Sequence, residues 1–255
     1  MHDYNIFEGN DVVQHQKKLS RAISLIENQS PGYEEILSSL QPKNVPVIGI
    51  TGPPGAGKST LTNALLKEMV DQQKAVAVLC VDPSSPFNLG SLLGDRIRMA
   101  DWYNHPNVFI RSLASRGSLG GLHPAIIEIT ELLKSSFFDY IIIETIGVGQ
   151  SEVEIAGLAD ITLVVLVPEA GDEIQTMKAG LMEIADLFVV NKSDRPDADL
   201  FVKNLRLMLA PAFALKKHHI QVLKTVAILH TGIADLFQAI EVLLHEEKNN
   251  ERKYF

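Results

Sequence analysis

Short apolar runs alternate along the chain with longer stretches whose apolar residues recur at helical spacing. Strands that are apolar on both faces and separated by helices are typical of a parallel sheet covered on both sides. The pattern therefore predicts a three-layer α/β fold with a mostly parallel central sheet, which binds ligands at the carboxyl ends of its strands. The predicted strands cover residues 45–51, 75–82, 108–113, 140–145, 161–167, 187–191 and 220–227, and the clearest helices cover 59–70, 124–133 and 198–209.

The segment before the first strand also has helical spacing, in residues 11–40. The Ser-Pro-Gly sequence at 30–32 should divide it into two helices, because proline and glycine interrupt helical hydrogen bonding. Pro42 and Pro46 then mark a boundary. We expect an N-terminal helical extension at 1–44, the main domain at 45–245 and a charged tail at 246–255.

Composition narrows the class of protein. A net charge of −8 argues against a basic surface for nucleic acid, and the single cysteine, Cys80, excludes a disulfide framework within the chain. No apolar run is long enough to span a bilayer, and the first residues lack the basic and apolar regions of a secretory signal. We therefore expect a cytoplasmic protein whose partners include neither a nucleic acid nor a membrane.

The most specific motif is G-x-x-x-x-G-K-S, which follows the first predicted strand and opens a helix. Glycines let several backbone N–H groups of such a P-loop point at one phosphate, and the helix N-terminus favours the anion. Lys58 can reach the β- and γ-phosphates, and the Ser59 hydroxyl can bind Mg²⁺. The predicted phosphate-binding residues are Gly52, Pro53, Pro54, Gly55, Ala56, Gly57, Lys58, Ser59 and Thr60.

A second motif, N-K-x-D, ends a later strand with the sequence Asn191-Lys192-Ser193-Asp194. The Asp194 carboxylate can accept hydrogen bonds from the N1–H and 2-amino groups of guanine, whereas adenine lacks this pair of donors. The stem of Lys192 can lie over the plane of the base. The motif therefore predicts GTP and GDP as the bound nucleotides.

Acidic residues close two of the predicted strands. Glu144 and Asp82 stand at strand ends, where a carboxylate can hold Mg²⁺ directly or through water. Asp95 could join them or could pair with a neighbouring arginine at the surface. Gly147 would let a backbone N–H approach the γ-phosphate, as in a switch loop. The predicted catalytic residues are Lys58, Asp82, Asp95, Glu144 and Gly147.

These motifs in this order resemble the MeaB/ArgK/MMAA group of GTPases, the G-protein chaperones associated with methylmalonyl-CoA mutase. The resemblance extends from Leu19 to about Leu236, and it is carried by GITGPPGAGKSTL, VDPSSPFNLGSLLGDRIRM, RSLASRGSLGGL, ETIGVGQSE and NKSD. It implies a P-loop fold of the SIMIBI class, and GTP hydrolysis coupled to the loading or protection of adenosylcobalamin in an acyl-CoA mutase. The Mg²⁺ ligands that it implies are Ser59, Asp82, Asp95 and Glu144.

The resemblance also bears on a third switch and on the last guanine loop. It makes Asp172, Gln175 and Lys178 candidates for the switch, although the same residues would fit a solvated helix start. The guanine loop, T-S-A in the family, reads T-V-A here, and it would contact the base through Val226, Ala227 and Ile228. The backbone N–H of Ala227 could still bind guanine O6.

Family members usually continue past the final helix into an extension that builds a homodimer, whereas this sequence ends at Phe255. A homodimer is therefore left open. The expected reaction converts GTP and water to GDP and phosphate, slowly until a partner orders the switches, and no residue is identified as the one that positions the water.

Three other interpretations remain. A metallochaperone-type GTPase would normally show cysteine and histidine ligands near its switches. A P-loop kinase of the arginine/ornithine transport class would favour ATP, against the NKSD motif. A nucleotide-dependent interaction module would need no hydrolysis.

Overall fold

The chain alternates strands and helices throughout the part that the computed structural model describes, which is residues 12–82, 99–114, 122–145, 154–170, 183–213 and 220–249. Short 3₁₀ turns lie at Ala100–Trp102, Ile155–Gly157, Pro168–Ala170 and Ala227–Leu229. The helices and strands are α1 (Val12–Glu27), α2 (Tyr33–Ser38), β1 (Val47–Thr51), α3 (Lys58–Asp71), β2 (Val76–Asp82), β3 (Val108–Ala114), α4 (Ile126–Lys134), β4 (Tyr140–Thr145), β5 (Ile161–Leu166), β6 (Leu187–Val190), α5 (Ala198–Phe213), β7 (Gln221–Lys224) and α6 (Ile233–Asn249).

The seven strands form one sheet in the order β3-β2-β4-β1-β5-β6-β7. Each neighbouring pair runs parallel, which confirms the predicted α/β class with its parallel sheet. The strands β4, β2 and β3 lie on one side of β1, and β5, β6 and β7 lie on its other side. The connection from β1 to β2 and the connection from β4 to β5 therefore run in opposite directions across the sheet. Such a reversal opens a crevice at the carboxyl ends of the strands, and ligands bind there in open α/β folds.

Helices cover both faces of the sheet, because successive residues of each strand point to opposite sides. On one face, residues such as Ile48 and Ile50 of β1 pack against α3 and α6. On the other face, Val47 of β1 belongs to a cluster with residues of α1, α2 and α4. Further along that same face, β5 and β6 pack against α5 through residues such as Val164 and Phe188.

The N-terminal helices contribute directly to the core. Leu19, Ile23 and Ile26 of α1 and Ile36 of α2 are almost completely buried in the cluster that contains β2 and β4. Each such side chain contributes about 1.5–3 kcal/mol by leaving water. The predicted break at 30–32 is confirmed, since α2 begins after Gly32 with a φ of 96°.

Two of the predicted strands are too long by two residues or more, for local reasons, and three others are too long by one residue. The first strand begins at Val47, whose N–H donates to Asp160 Oδ2 at 2.7 Å, because Pro46 has no N–H to contribute to a ladder. The last strand ends at Lys224. Beyond it the chain turns, and Val226 forms an isolated antiparallel bridge with Thr231.

In each of the two edge strands, β3 and β7, a backbone carbonyl accepts a hydrogen bond from the side chain of a neighbouring helix. At β3, Gln16 Nε2 of α1 donates to the carbonyl of Val108 at 3.0 Å. At β7, Arg206 of α5 donates to the carbonyl of Val222 at 3.2 Å. Exposed backbone groups at a sheet edge can pair with another chain, and each of these contacts occupies one such group.

A buried histidine connects α1 to the segment before β4. His15 Nε2 lies 2.8 Å from Ser136 Oγ, and the His15 ring meets Phe137 edge-on at 4.9 Å between ring centroids. Lys43 Nζ donates to the Ser136 carbonyl at 2.8 Å. Burial lowers the pKa of His15, and the nearby charge of Lys18 lowers it further.

We expect His15 to make the folded protein sensitive to mild acid. Because its pKa is lower in the folded state, the unfolded chain binds the proton more readily below the ordinary histidine pKa of about 6.5. The free energy of unfolding should therefore fall as the pH drops through that range. The fall should be shallower in the His15→Gln variant, measured by urea unfolding across a pH series. Equal slopes for the two proteins would contradict the assignment.

Candidate nucleotide-binding site

The loop at residues 52–57 joins β1 to α3 at the centre of the sheet. Its three glycines have positive φ angles, with 136° at Gly52, 78° at Gly55 and 87° at Gly57. A Cβ atom at Gly52 would lie 2.1 Å from the carbonyl oxygen of Val165 in β5. The first turn of the loop therefore needs glycine both for its backbone conformation and for its close approach to β5. Pro54 and Gly55 form the exposed rim of the loop.

Lys58, the first residue of α3, is 6% exposed. Its Nζ donates to the carbonyl oxygens of Gly52 at 2.7 Å and Pro53 at 3.0 Å. These hydrogen bonds stabilise the buried ammonium, which would be costly to bury without polar partners. The cation lies against the loop for which the P-loop motif predicts phosphate binding.

Glu144, at the end of β4, accepts hydrogen bonds from two hydroxyls of α3. Ser59 Oγ donates to Glu144 Oε1 at 2.6 Å, and Thr62 Oγ1 lies 2.8 Å from Glu144 Oε2. The Glu144 side chain is 6% exposed. The structure thus brings together two residues predicted for one metal site, Ser59 and Glu144. Thr62 was not among the predicted residues, although its position three residues after Ser59 places it on the same helix face.

The strand ends beside Glu144 approach one another closely. Thr145 Oγ1 donates to Thr51 Oγ1 at 2.9 Å, and both threonines are fully buried. Val81 pairs with Thr145, so the backbone of Asp82 lies at the same edge of the sheet as Glu144. The Asp82 side chain lies outside the described residues, as do the other predicted residues Asp95, Gly147, Asp172, Gln175 and Lys178.

Asn191, the first residue of the NKSD sequence, connects three loops. Its Nδ2 donates to the carbonyl of Ala56 in the P-loop at 3.0 Å. Its Oδ1 accepts from the backbone N–H of Ala227 at 3.1 Å and lies 3.3 Å from Thr225 Oγ1. The residue is 2% exposed. A buried amide that uses both ends in this way fixes the spacing between the P-loop and the loop after β7.

Lys192 and Asp194 face outward from the same segment. Lys192 Nζ donates to the carbonyl of Gly55 at 2.8 Å, so the lysine stem lies against the rim of the P-loop. Asp194 is exposed, and within the described parts of the chain its carboxylate has no hydrogen-bond partner. Both residues, which the NKSD motif predicts for recognition of a base, therefore lie just after β6, and Lys192 also contacts the P-loop.

The loop after β7 has a buried part and an exposed part. Val226 and Ala227 are buried, whereas Ile228 and Leu229 are 78% and 68% exposed. The Ala227 N–H, predicted to bind guanine O6, is engaged by Asn191. A base would therefore have to share this donor with the amide oxygen.

An ion pair lies beside the NKSD segment. Arg195 donates to Glu169, which belongs to the turn after β5. Burial alone would raise the pKa of Glu169, but the hydrogen bond and charge of Arg195 outweigh it and lower that pKa. The pair ties the turn after β5 to the NKSD segment.

Trp102 connects the turn before β3 to the helix of the P-loop. Its Nε1 donates to Asn63 Oδ1 of α3, and its ring packs against the core cluster on that face of the sheet.

The model of one protein family, the methylmalonyl-CoA mutase-associated GTPase MeaB, matches residues 19–253. The chain belongs to this family. The resemblance expected from the motifs is therefore confirmed, and the family is one of P-loop GTPases. Within the described ranges, no helix is long and apolar enough to cross a membrane.

Curated relatives share most of the chain. A protein of Pyrococcus abyssi is 46% identical over 231 residues, which are 89% of this chain and 71% of that protein. A protein of Mycobacterium tuberculosis named "Probable GTPase" is 40% identical over 88% of this chain and 69% of its own length. The methylmalonic aciduria type A homolog of mouse mitochondria is 43% identical over 66% of this chain and 40% of its own length.

Solved structures share the fold. A structure described as a LAO/AO transport system kinase superposes with a TM-score of 0.74 at 29% identity, covering 93% of this chain and 73% of that one. HypB of Helicobacter pylori, in complex with nickel, gives a TM-score of 0.62 at 16% identity, covering 92% of this chain and 99% of that one. The second likeness shows the architecture alone.

We expect Gly52→Ala to destabilise the protein more than Gly55→Ala does. Both positions have positive φ, which costs a non-glycine residue about 1–2 kcal/mol. Only at Gly52 does the added Cβ meet backbone, because the Cβ at Gly55 has nothing within 4 Å. Urea unfolding without nucleotide should show a loss of about 3 kcal/mol or more for Gly52→Ala and about 1 kcal/mol for Gly55→Ala. Similar losses would show that close packing against β5 does not constrain the loop.

Proposed function

We propose that the protein binds GTP and GDP with Mg²⁺, hydrolyses GTP, and assists cofactor loading or protection of an adenosylcobalamin-dependent acyl-CoA mutase. The nucleotide part rests on one observation. Asn191 and Lys192 hold the carbonyls of Ala56 and Gly55, so that the base-recognition segment and the P-loop form one surface. In this proposal the GTPase domain is residues 45–245, and residues 1–44 form its helical extension.

The phosphates would lie over the P-loop, from Gly52 to Thr60. Backbone N–H groups at the start of α3 favour an anion there. Lys58 Nζ would exchange its bonds to Gly52 and Pro53 for phosphate oxygens, which are stronger acceptors because they are charged. The buried ammonium of Lys58 would therefore have hydrogen-bond acceptors both before and after the phosphates bind.

The residues beside Glu144 suit magnesium. Mg²⁺ prefers oxygen ligands such as hydroxyls and carboxylates, and the side chains of Ser59 and Glu144 already meet at the P-loop. Asp82 and Asp95 are proposed to complete the set. When bound, the ion supplies positive charge that offsets the charge of the β- and γ-phosphates.

The base would lie between Lys192 and the loop that contains Val226, Ala227 and Ile228. Asp194 is proposed to accept from guanine N1–H and the 2-amino group. Asn191 would position the surrounding loops rather than contact the base, because its amide is hydrogen-bonded to Ala56 and Ala227. Hydrolysis then needs little covalent chemistry from the protein, since positioning and charge neutralisation provide most of the catalysis of phosphoryl transfer.

The mutase part of the proposal rests on the family. Its members are associated with methylmalonyl-CoA mutase by name, and a mouse relative carries the name of a methylmalonic aciduria protein. Gly147 and the residues Asp172, Gln175 and Lys178 are proposed as the parts of the switches that the mutase orders. Such ordering would accelerate a slow intrinsic reaction. We leave a homodimer as an open part of the proposal.

We expect Asp194→Asn to change the preferred base. The side-chain N–H of asparagine can donate to the carbonyl at position 2 of xanthine. Guanine has an amino group at that position, which is itself a donor and cannot accept the bond. The affinity for GDP should fall by about 100-fold, and the affinity for xanthosine diphosphate should rise, in titrations with fluorescent nucleotides. Asp197→Asn, at an exposed position outside the motif, is the matched control and should retain the wild-type preference. Unchanged GDP binding by Asp194→Asn would remove Asp194 from the base site.

We expect phosphate release from GTP to exceed that from ATP by about 100-fold, because adenine leaves the Asp194 carboxylate without its donors. Adding the cobalamin-dependent acyl-CoA mutase of the same organism should accelerate GTP hydrolysis, and Lys58→Ala should abolish it in both conditions. Preference for GTP without acceleration would retain the GTPase and reject the mutase as its activator. A preference for ATP would favour the kinase interpretation instead.

A further inference from the structure

Two hydroxyls of one helix meet the two oxygens of one buried carboxylate. Ser59 Oγ donates to Glu144 Oε1 at 2.6 Å, and Thr62 Oγ1 lies 2.8 Å from Glu144 Oε2. Thr62 is fully buried on α3, one turn beyond Ser59. The carboxylate is therefore held along its whole edge by residues of the P-loop helix.

The Thr62 hydroxyl has a choice of acceptors. It lies 3.0 Å from the carbonyl of Lys58 and 2.8 Å from Glu144 Oε2, and it has one proton to donate. The carboxylate is the stronger acceptor because it is charged. Thr62 therefore donates its hydrogen bond to Glu144 Oε2. This bond fixes the position of the second oxygen and so limits rotation of the carboxylate plane.

Rotation of that plane matters for the proposed metal site. Removing the Thr62 hydroxyl would take away its hydrogen bond to Oε2, and a carboxylate that turned to form another bond would move Oε1 away from Ser59. We propose that Thr62 is the positioning residue of the magnesium site, holding Glu144 Oε2 so that Oε1 stays beside Ser59. This inference rests on the proposed function, because it concerns the Mg²⁺ that the GTPase would use.

A second buried threonine, Thr130, provides a control that distinguishes the positioning of Glu144 from the general effect of losing a buried helix hydroxyl. Thr130 of α4 is also fully buried and also lies close to the carbonyl four residues earlier, at 2.7 Å from that of Ile126. In the described structure its hydroxyl bonds to that carbonyl rather than to a carboxylate. Replacing Thr130 therefore reproduces the loss of a buried helix hydroxyl without touching Glu144.

The experiment measures how Mg²⁺ tightens the binding of a fluorescent GDP analogue to the full chain. The magnesium concentration that gives half of the tightening is compared among wild type, Thr62→Val, Thr62→Ser and Thr130→Val. We expect Thr62→Val to raise it by about tenfold or more, as is usual when a residue supporting a metal ligand is removed. Thr62→Ser, which keeps the hydroxyl, should stay close to wild type, as should Thr130→Val. Without Mg²⁺, all four proteins should bind the analogue equally well.

Each other outcome has a distinct meaning. A wild-type magnesium dependence in Thr62→Val would overturn the inference and leave the proposed function intact, as would an equal shift in Thr130→Val. Wild-type protein that binds no guanine nucleotide, or binds it without regard to Mg²⁺, would overturn the proposed function and the inference with it. If Thr62→Val does not fold, Thr62→Ala removes the same hydroxyl without adding a methyl group and takes its place.

Discussion

Asn191 uses one amide to connect the P-loop with the loop that follows β7, through Ala56 on one side and Ala227 on the other. The connection is buried, so breaking it would leave polar groups of three loops without partners. These loops come from distant parts of the chain and meet only because β1, β5, β6 and β7 lie side by side. The geometry of the site therefore depends on the strand order of the sheet, because the Asn191 amide joins loops that only this order brings together.

The two ends of the crevice differ in their surroundings. At the P-loop, the Lys58 and Glu144 side chains are buried and form hydrogen bonds with other groups of the protein. Hydrogen bonds are stronger in such buried surroundings, so both side chains are held in place. At the NKSD segment and the loop after β7, Asp194 and Ile228 are exposed. In the proposed function, a nucleotide would meet a prearranged P-loop and would itself cover these exposed residues.

Much of this arrangement could be predicted from the sequence. Apolar runs with Gly52-to-Ser59 and Asn191-to-Asp194 at their ends place both motifs at one edge of a parallel sheet, since their spacing is local. The order of the strands could not be predicted in the same way, because it depends on crossings between distant segments. Thr62 was missed for a related reason: its proposed role depends on its contact with Glu144, which is 82 residues away. The edge contacts of Gln16 and Arg206 are equally long-range and have no motif.

Trp102 has a consequence for how the molecule can be observed. It is the only tryptophan in the sequence, so light absorbed selectively by indole is emitted from a single place. That place is hydrogen-bonded to Asn63, which is adjacent to Thr62 on the helix that begins at the P-loop. The protein therefore contains its own optical probe beside the proposed magnesium and phosphate site. Events there can be followed in the unmodified chain, without attaching a dye.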